Sequence, residues 1–109
     1  MTIDDLQYEQ WVWTGKNFPG QLPHQPLLGV VEEVGELCHA ILKSEQNIRG
    51  SKQQHRDEAE DAIGDIMIYL AGVCSHNSFI MQDCIDKAWA VVKQRDWEKN
   101  KDTGKNEKC

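Results

Sequence analysis

Long apolar runs, dispersed proline, paired cysteines and an excess of basic charge are all missing from this chain, and each shortage removes a class of answer. No stretch of its 109 residues approaches the roughly 20 apolar residues a membrane helix needs, and the polar opening Met1-Thr2-Ile3-Asp4-Asp5 is unlike a secretory leader. The expectation is a soluble, cytoplasmic protein with no membrane partner. The four cysteines, Cys38, Cys74, Cys84 and Cys109, show no C-x-x-C spacing, and the first three fall on apolar positions of helical patterns. They read as reduced packing residues, not as zinc ligands or a disulfide framework. Lys and Arg number 12 against 18 Asp and Glu, a net charge of -6, which argues against a nucleic-acid partner, since that would call for a basic stripe. No segment alternates convincingly as a strand would, so the chain is expected to be all-α.

Four helices are expected. Thr2 caps the first, from about Ile3 to Trp13, with Asp5 completing a capping box. Gly15, Pro19, Gly20, Pro23 and Pro26 then break the pattern and predict a loop over residues 14–25. A second helix runs from Pro26 or Leu27 to Gln46, Pro26 being suited to its first turn. After a turn at residues 47–50, Ser51 caps a third helix that continues to about His76. Ile80, Cys84, Ile85, Ala88, Val91 and Val92 outline a fourth, ending near Trp97 or Glu98. Short connections favour antiparallel neighbours, hence a four-helix bundle. Residues 1–99 form one domain, and residues 100–109 are a polar tail expected to be mobile. A domain this short buries a modest core, and oligomerisation would supplement it.

What the chain does hold is concentrated acid. On the second helix Glu32, Glu33 and Glu36 share one arc, and on the third Glu58, Asp61 and Asp65 share a narrower one. Two such faces turned together form a cage for a hard cation such as Mg²⁺, which keeps coordination sites for water and phosphate oxygens. The bland alternative is a solvated acidic face. It serves the second helix well, where Leu27, Val30, Val31, Val34, Leu37, Cys38 and Ile41 gather opposite the glutamates. It serves the third helix badly, because Asp65 lies within a segment from Ala62 to Val73 whose apolar side chains point in nearly every direction. That helix is expected to be buried around most of its circumference, where a carboxylate needs a partner or a metal.

With those residues in view, a family resemblance can be stated. Glu32-Glu33-Val34-Gly35-Glu36-Leu37 has the E-E-x-x-E form, and Gly64-Asp65-Ile66-Met67-Ile68-Tyr69-Leu70 resembles the second metal-binding helix, of the MazG-like all-α nucleoside triphosphate pyrophosphohydrolases. His24-Gln25-Pro26 with Leu27-Leu28-Gly29 is similar to the entry of the metal helix in the dCTP pyrophosphatase branch, and Lys93-Gln94-Arg95-Asp96-Trp97 to the C-terminal helix of several members. The likeness runs over residues 10–104. In one respect the chain departs: the family's second motif is usually E-x-x-D, but three residues before Asp65 stands Ala62. Asp61, one turn before Asp65, supplies a carboxylate on the same face, while Glu58-x-x-Asp61 fits the pattern literally in another register.

The resemblance implies hydrolysis of a nucleoside triphosphate between its α and β phosphates, assisted by Mg²⁺ with Mn²⁺ as a substitute, in a homodimer or a dimer of dimers. Glu33, Glu36, Asp61 and Asp65 would be metal ligands, with Glu58 as the alternative, and Glu32 a further ligand or, with Glu33, part of the catalytic pair. Lys93 and Arg95 are candidate phosphate donors, and Trp11, Trp13, Phe18 and His24 offer aromatic faces and polar edges to a base.

Two rivals come from other classes. A carboxylate-bridged di-iron bundle needs two Glu-x-x-His units; Glu36-Leu37-Cys38-His39 is one, but Lys52 and Val73 stand three residues before His55 and His76. A non-catalytic helical interaction module leaves the apolar surroundings of Asp65 without a reason.

Overall fold

The computed structural model describes residues 1–100, so the rest of the tail expected at 100–109 lies outside the described residues. Helices α1 (Ile3–Asn17), α2 (Gln25–Gln46), α3 (Lys52–His76) and α4 (Met81–Val92) are followed by a single turn, α5 (Trp97–Asn100), and no strand occurs among the described residues. None of these helices is long and apolar enough to cross a membrane.

Local chemistry sets the ends. At α1 the Thr2 hydroxyl accepts from the Asp5 amide at 3.0 Å while the Asp5 carboxylate accepts from the Thr2 amide at 2.9 Å. Ser51 and Gln54 repeat the arrangement at α3. Asn47, at φ 58°, closes α2 in the left-handed conformation that Asn tolerates. Two expected boundaries move. α1 continues through Gly15 to Asn17, because one helical glycine costs only about 1 kcal/mol and the chain stops where Pro19 approaches. The fourth helix ends at Val92, not near Trp97: the Gln94 and Arg95 amides reach back three residues to Val91 and Val92 in tight turns, and the Asp96 carboxylate restarts a helix by accepting from the Lys99 amide at 2.9 Å.

The chain's centre is the antiparallel hairpin of α2 and α3, with α1 laid against α3 and α4 against α1. The two hairpin helices approach through small residues. Gly29 lies under the Tyr69 ring so closely that a Cβ there would overlap it, and a Cβ on Gly72 would stand 3.4 Å from Pro26 and 2.9 Å from the Gln10 amide nitrogen. Ala40 and Ala62 are buried farther along the hairpin.

This packing corrects three expectations. The stripe of α2 expected to face the core points largely outward instead: Leu27, Val31, Val34, Cys38 and Ile41 are exposed and Val30 and Leu37 half-buried, with Leu28 and Leu42 exposed beside them, while the side turned to α3 carries Pro26, Gly29, Glu33 and Ala40. Nor is α3 enclosed within one chain, since Ile63 is 52% exposed and Asp65 is only half-buried. Finally, among the described cysteines Cys38 and Cys84 are exposed and Cys74 is partly buried. For α2 and α3 the cause is shared: the closest approaches are made by glycine and alanine, so large side chains are displaced to the flanks. Likewise α1 gives α3 the polar side chains of Gln7, Gln10 and Thr14 and leaves Tyr8, Val12 and Trp13 outside.

Candidate metal and nucleotide site

The hairpin register decides which acids meet. Pro26 lies by Gly72 and Gly29 by Tyr69, so each step forward along α2 is matched by an equal step back along α3. Continuing one turn brings Glu33 level with Asp65, and the next brings Glu36 level with the turn from Asp61 to Asp65. The electrostatics agree with this placement. The half-buried Glu33 carboxyl is held above the ordinary 4.5, first by burial and then by repulsion from Asp65, Glu36, Asp61 and Glu32. Glu33 is thus the point on the α2–α3 seam that feels the acids of both helices. Glu32, Gly35, Glu36 and His39 border an open groove of about 500 Å³ on its flank.

Glu58 stands apart from that group. Its Oε2 lies 3.6 Å from Nδ1 of the buried His55, whose Nε2 meets the Ile48 carbonyl at 2.9 Å. The carbonyl can only accept, so Nε2 carries the proton and Nδ1 presents a lone pair unless His55 is charged. Among the described residues no three His, Cys, Asp or Glu side chains stand close enough to enclose a cation as they are. Like-charged carboxylates on rotatable stems spread apart, and a cation between them removes the reason to do so. The donor set, all hard oxygen on two rigid helices, suits Mg²⁺ or Mn²⁺.

The aromatic expectations divide. Trp11 and Phe18 line one small cavity of about 160 Å³, completed by Thr14, Gly15, Pro19, Gln21 and His76. Trp11 meets the His76 ring edge-on at 5.0 Å, and His76 Nε2 lies 2.9 Å from Gln21 Oε1. Trp13 stands outside, touching Phe18 at a ring separation of 5.7 Å. His24 is exposed at the N-cap of α2, without a side-chain cap. Lys93, exposed at the C-cap of α4, and the half-buried Arg95 beyond it lie on an element packed against α1, not on the hairpin.

No motif marks His76 and Gln21 in the sequence, though one signal is there. Steps of four, three and four residues from Asp65 reach Tyr69, Gly72 and His76, so a single face of α3 runs from the acids to the cavity. Eleven residues of helix separate the two by about 16 Å, a length comparable with that of an extended nucleoside triphosphate. His39, beside the carboxylates, stands out in the sequence only by its spacing from Glu36. Compared with protein-family models, curated proteins and solved structures, the chain finds no match in any of the three.

Proposed function

We propose that this protein is a Mg²⁺-dependent nucleoside triphosphate pyrophosphohydrolase of the MazG-like all-α type, releasing a nucleoside monophosphate and pyrophosphate. The observation that carries the reading is the hairpin register, which sets Glu33 and Glu36 of α2 level with Asp65 and Asp61 of α3, so that Glu33 feels the acids of both helices. A half-buried Glu33 facing four other carboxylates is costly to keep for stability alone.

Glu33, Glu36, Asp61 and Asp65 are the residues that would hold the metal. Asp61 is preferred over Glu58 because Glu58 is directed to His55. Bound there, Mg²⁺ would neutralise phosphate charge and lower the pKa of a coordinated water. Glu32, exposed at the edge of the group, orients the attacking water and accepts its proton, the task for which a carboxylate free of full ligation is suited. Trp11 and Phe18 give the base an apolar wall, and His76 with Gln21 gives its edge hydrogen-bonding groups. Lys93 and Arg95 serve as phosphate donors, either after α4 moves or from a second copy of the chain. That second copy covers the outward stripe of α2.

The test is a panel of ribo- and deoxynucleoside triphosphates with Mg²⁺, following pyrophosphate and orthophosphate separately. Pyrophosphate release with one monophosphate product is expected. Orthophosphate release, or no turnover of any member with Mg²⁺ or Mn²⁺, overturns the assignment. Glu36→Gln and Asp65→Asn should each abolish turnover while leaving helix content unchanged, since they remove charge with little change of shape.

A further inference from the structure

The turn that joins α2 to α3 rests on His55, a residue the proposed chemistry does not use. It stands in the first turns of α3 and is only 3% exposed. Two contacts fix which way its ring points. Nε2 lies 2.9 Å from the Ile48 carbonyl in the turn, and the Cε1 edge sits under Gly50, where a Cβ would stand 3.3 Å from it. Because the carbonyl can only accept, Nε2 carries the proton of the neutral ring and the lone pair is left on Nδ1. That nitrogen is buried and has no hydrogen-bond partner. What it faces is Glu58, one turn farther along, whose Oε2 lies 3.6 Å away on a side chain that is 55% exposed. A lone pair and a carboxylate oxygen both accept, so they stabilise each other only through something positive between them.

We infer that His55 Nδ1 and the Glu58 carboxylate form a site for Zn²⁺, separate from the carboxylate seam, that holds the α2–α3 turn to the start of α3. A neutral imidazole whose other nitrogen donates to a backbone carbonyl is the usual setting of a metal-ligating histidine, because that hydrogen bond fixes the tautomer and orients the ring. The spacing favours the same ion. With Zn–N and Zn–O bonds of about 2.0–2.2 Å, a span of 3.6 Å subtends about 120° at the metal, near the tetrahedral angle. An octahedral Mg²⁺ holding both atoms at right angles would need them about 2.9 Å apart, and it prefers oxygen to imidazole.

Two protein donors make an open, exchangeable site, with water completing the coordination from the exposed side of Glu58. Since Nδ1 already presents a lone pair, binding displaces no proton from the neutral ring. Zn²⁺ draws electron density from the imidazole and makes Nε2–H a stronger donor, so the bond to the Ile48 carbonyl tightens and the turn is held more firmly.

The test is imidazole nitrogen NMR of the full chain at mildly alkaline pH, with Mg²⁺ in excess and Zn²⁺ added stepwise. The readout belongs to His55 alone, so it stands whether or not the seam binds Mg²⁺. In the absence of Zn²⁺, His55 should be protonated on Nε2 only. Zn²⁺ should move the Nδ1 resonance while Nε2 keeps its proton, and should slow amide exchange over residues 47–50. Glu58→Gln and Glu58→Ala should each weaken the response at least about tenfold, the first because its amide donates to Nδ1 and the second because the oxygen donor is gone. Glu58 is exposed, so neither change should unfold the chain. A His55 Nδ1 that stays unmoved while other histidines respond, a response that survives either Glu58 change, or a His55 protonated on Nδ1 without Zn²⁺ overturns the inference.

Discussion

Glu33 is the residue at which the candidate site's energetics can be read without any substrate. Its carboxyl is held above 4.5 in the folded chain by burial, Asp65, Glu36, Asp61 and Glu32, so between 4.5 and that raised value the folded state holds a proton the unfolded chain has released. Stability therefore falls as pH rises through this window and stays lower at neutral pH. Replacing Glu33 by Gln removes the effect. In metal-free buffer at neutral pH, Glu33→Gln should melt above wild type, and the gap should close as the pH is taken below 4.5. Adding Mg²⁺ should reverse the order, because wild type gains binding energy that the variant lacks. A variant that melts with wild type at every pH, with and without Mg²⁺, would remove Glu33 from the seam. Neighbouring acids give a sharper comparison by calorimetric Mg²⁺ titration. Asp61→Asn should weaken Mg²⁺ markedly, whereas Glu60→Gln should not, since Glu60 is exposed and paired with Arg56 at 3.3 Å. Glu58→Gln should also leave Mg²⁺ binding near wild type without lowering stability, since an amide can donate to the His55 Nδ1 lone pair where the carboxylate cannot. Loss of Mg²⁺ with Glu58→Gln but not with Asp61→Asn would select the other motif register.

At the scale of helices, the hairpin depends on Gly29. A methyl group there overlaps the Tyr69 ring, which must shift to admit it, so Gly29→Ala should destabilise by about 1–3 kcal/mol through overpacking. Gly64, with nothing within 4 Å of a built Cβ, should respond oppositely: Gly64→Ala gains about 0.5–1 kcal/mol from helix propensity. Urea unfolding of the two variants checks both signs, and equal effects would mean that α2 and α3 do not approach closely at Gly29. The same residues mark what could be read before any coordinates. Caps are local, so Thr2, Ser51 and the turn at residues 47–50 declared their helix ends in the sequence. The acidic arcs were legible too, because a 3.6-residue period places Glu33 and Glu36, or Asp61 and Asp65, on common faces. Which side of α2 turns inward was not. Periodicity finds a stripe but not its partner, and here the inward side is chosen by glycine and alanine, whose small size lets α3 approach. Gly15 misled for the converse reason: a glycine reads as a breaker, yet the tertiary setting of Gln10 and Thr14 on α3 carries α1 past it to Asn17.

For the whole molecule, the question is what covers the outward side of α2. The apolar side chains buried within one chain include Ala40, Ala62, Ala71 and Met81, whereas Leu27, Leu28, Val31, Val34, Ile41 and Leu42 lie exposed along a single helix, Val31 at 64%. At about 25 cal/mol per Å², water contact over such a stripe is a large standing cost for so small a core, and patches of this kind mark association surfaces. A second copy meets the need directly: a twofold axis beside α2 would bury the stripe against its own image. Because Glu32 and Glu36 flank the inward side of the same helix, fixing α2 in this way would also hold the carboxylates at their spacing across the seam. Sedimentation at micromolar concentration should find a dimer or a dimer of dimers. Val31→Glu would place two like charges near the axis, so it should shift the species toward monomer, lower the thermal midpoint and weaken Mg²⁺-dependent turnover together, although the residue is outside the carboxylate group. Wild type diluted to nanomolar concentration should lose helicity and activity along the same curve. A monomer that keeps full activity on dilution would show that the stripe serves something other than self-association, and would require Lys93 and Arg95 to reach the phosphates from within one chain.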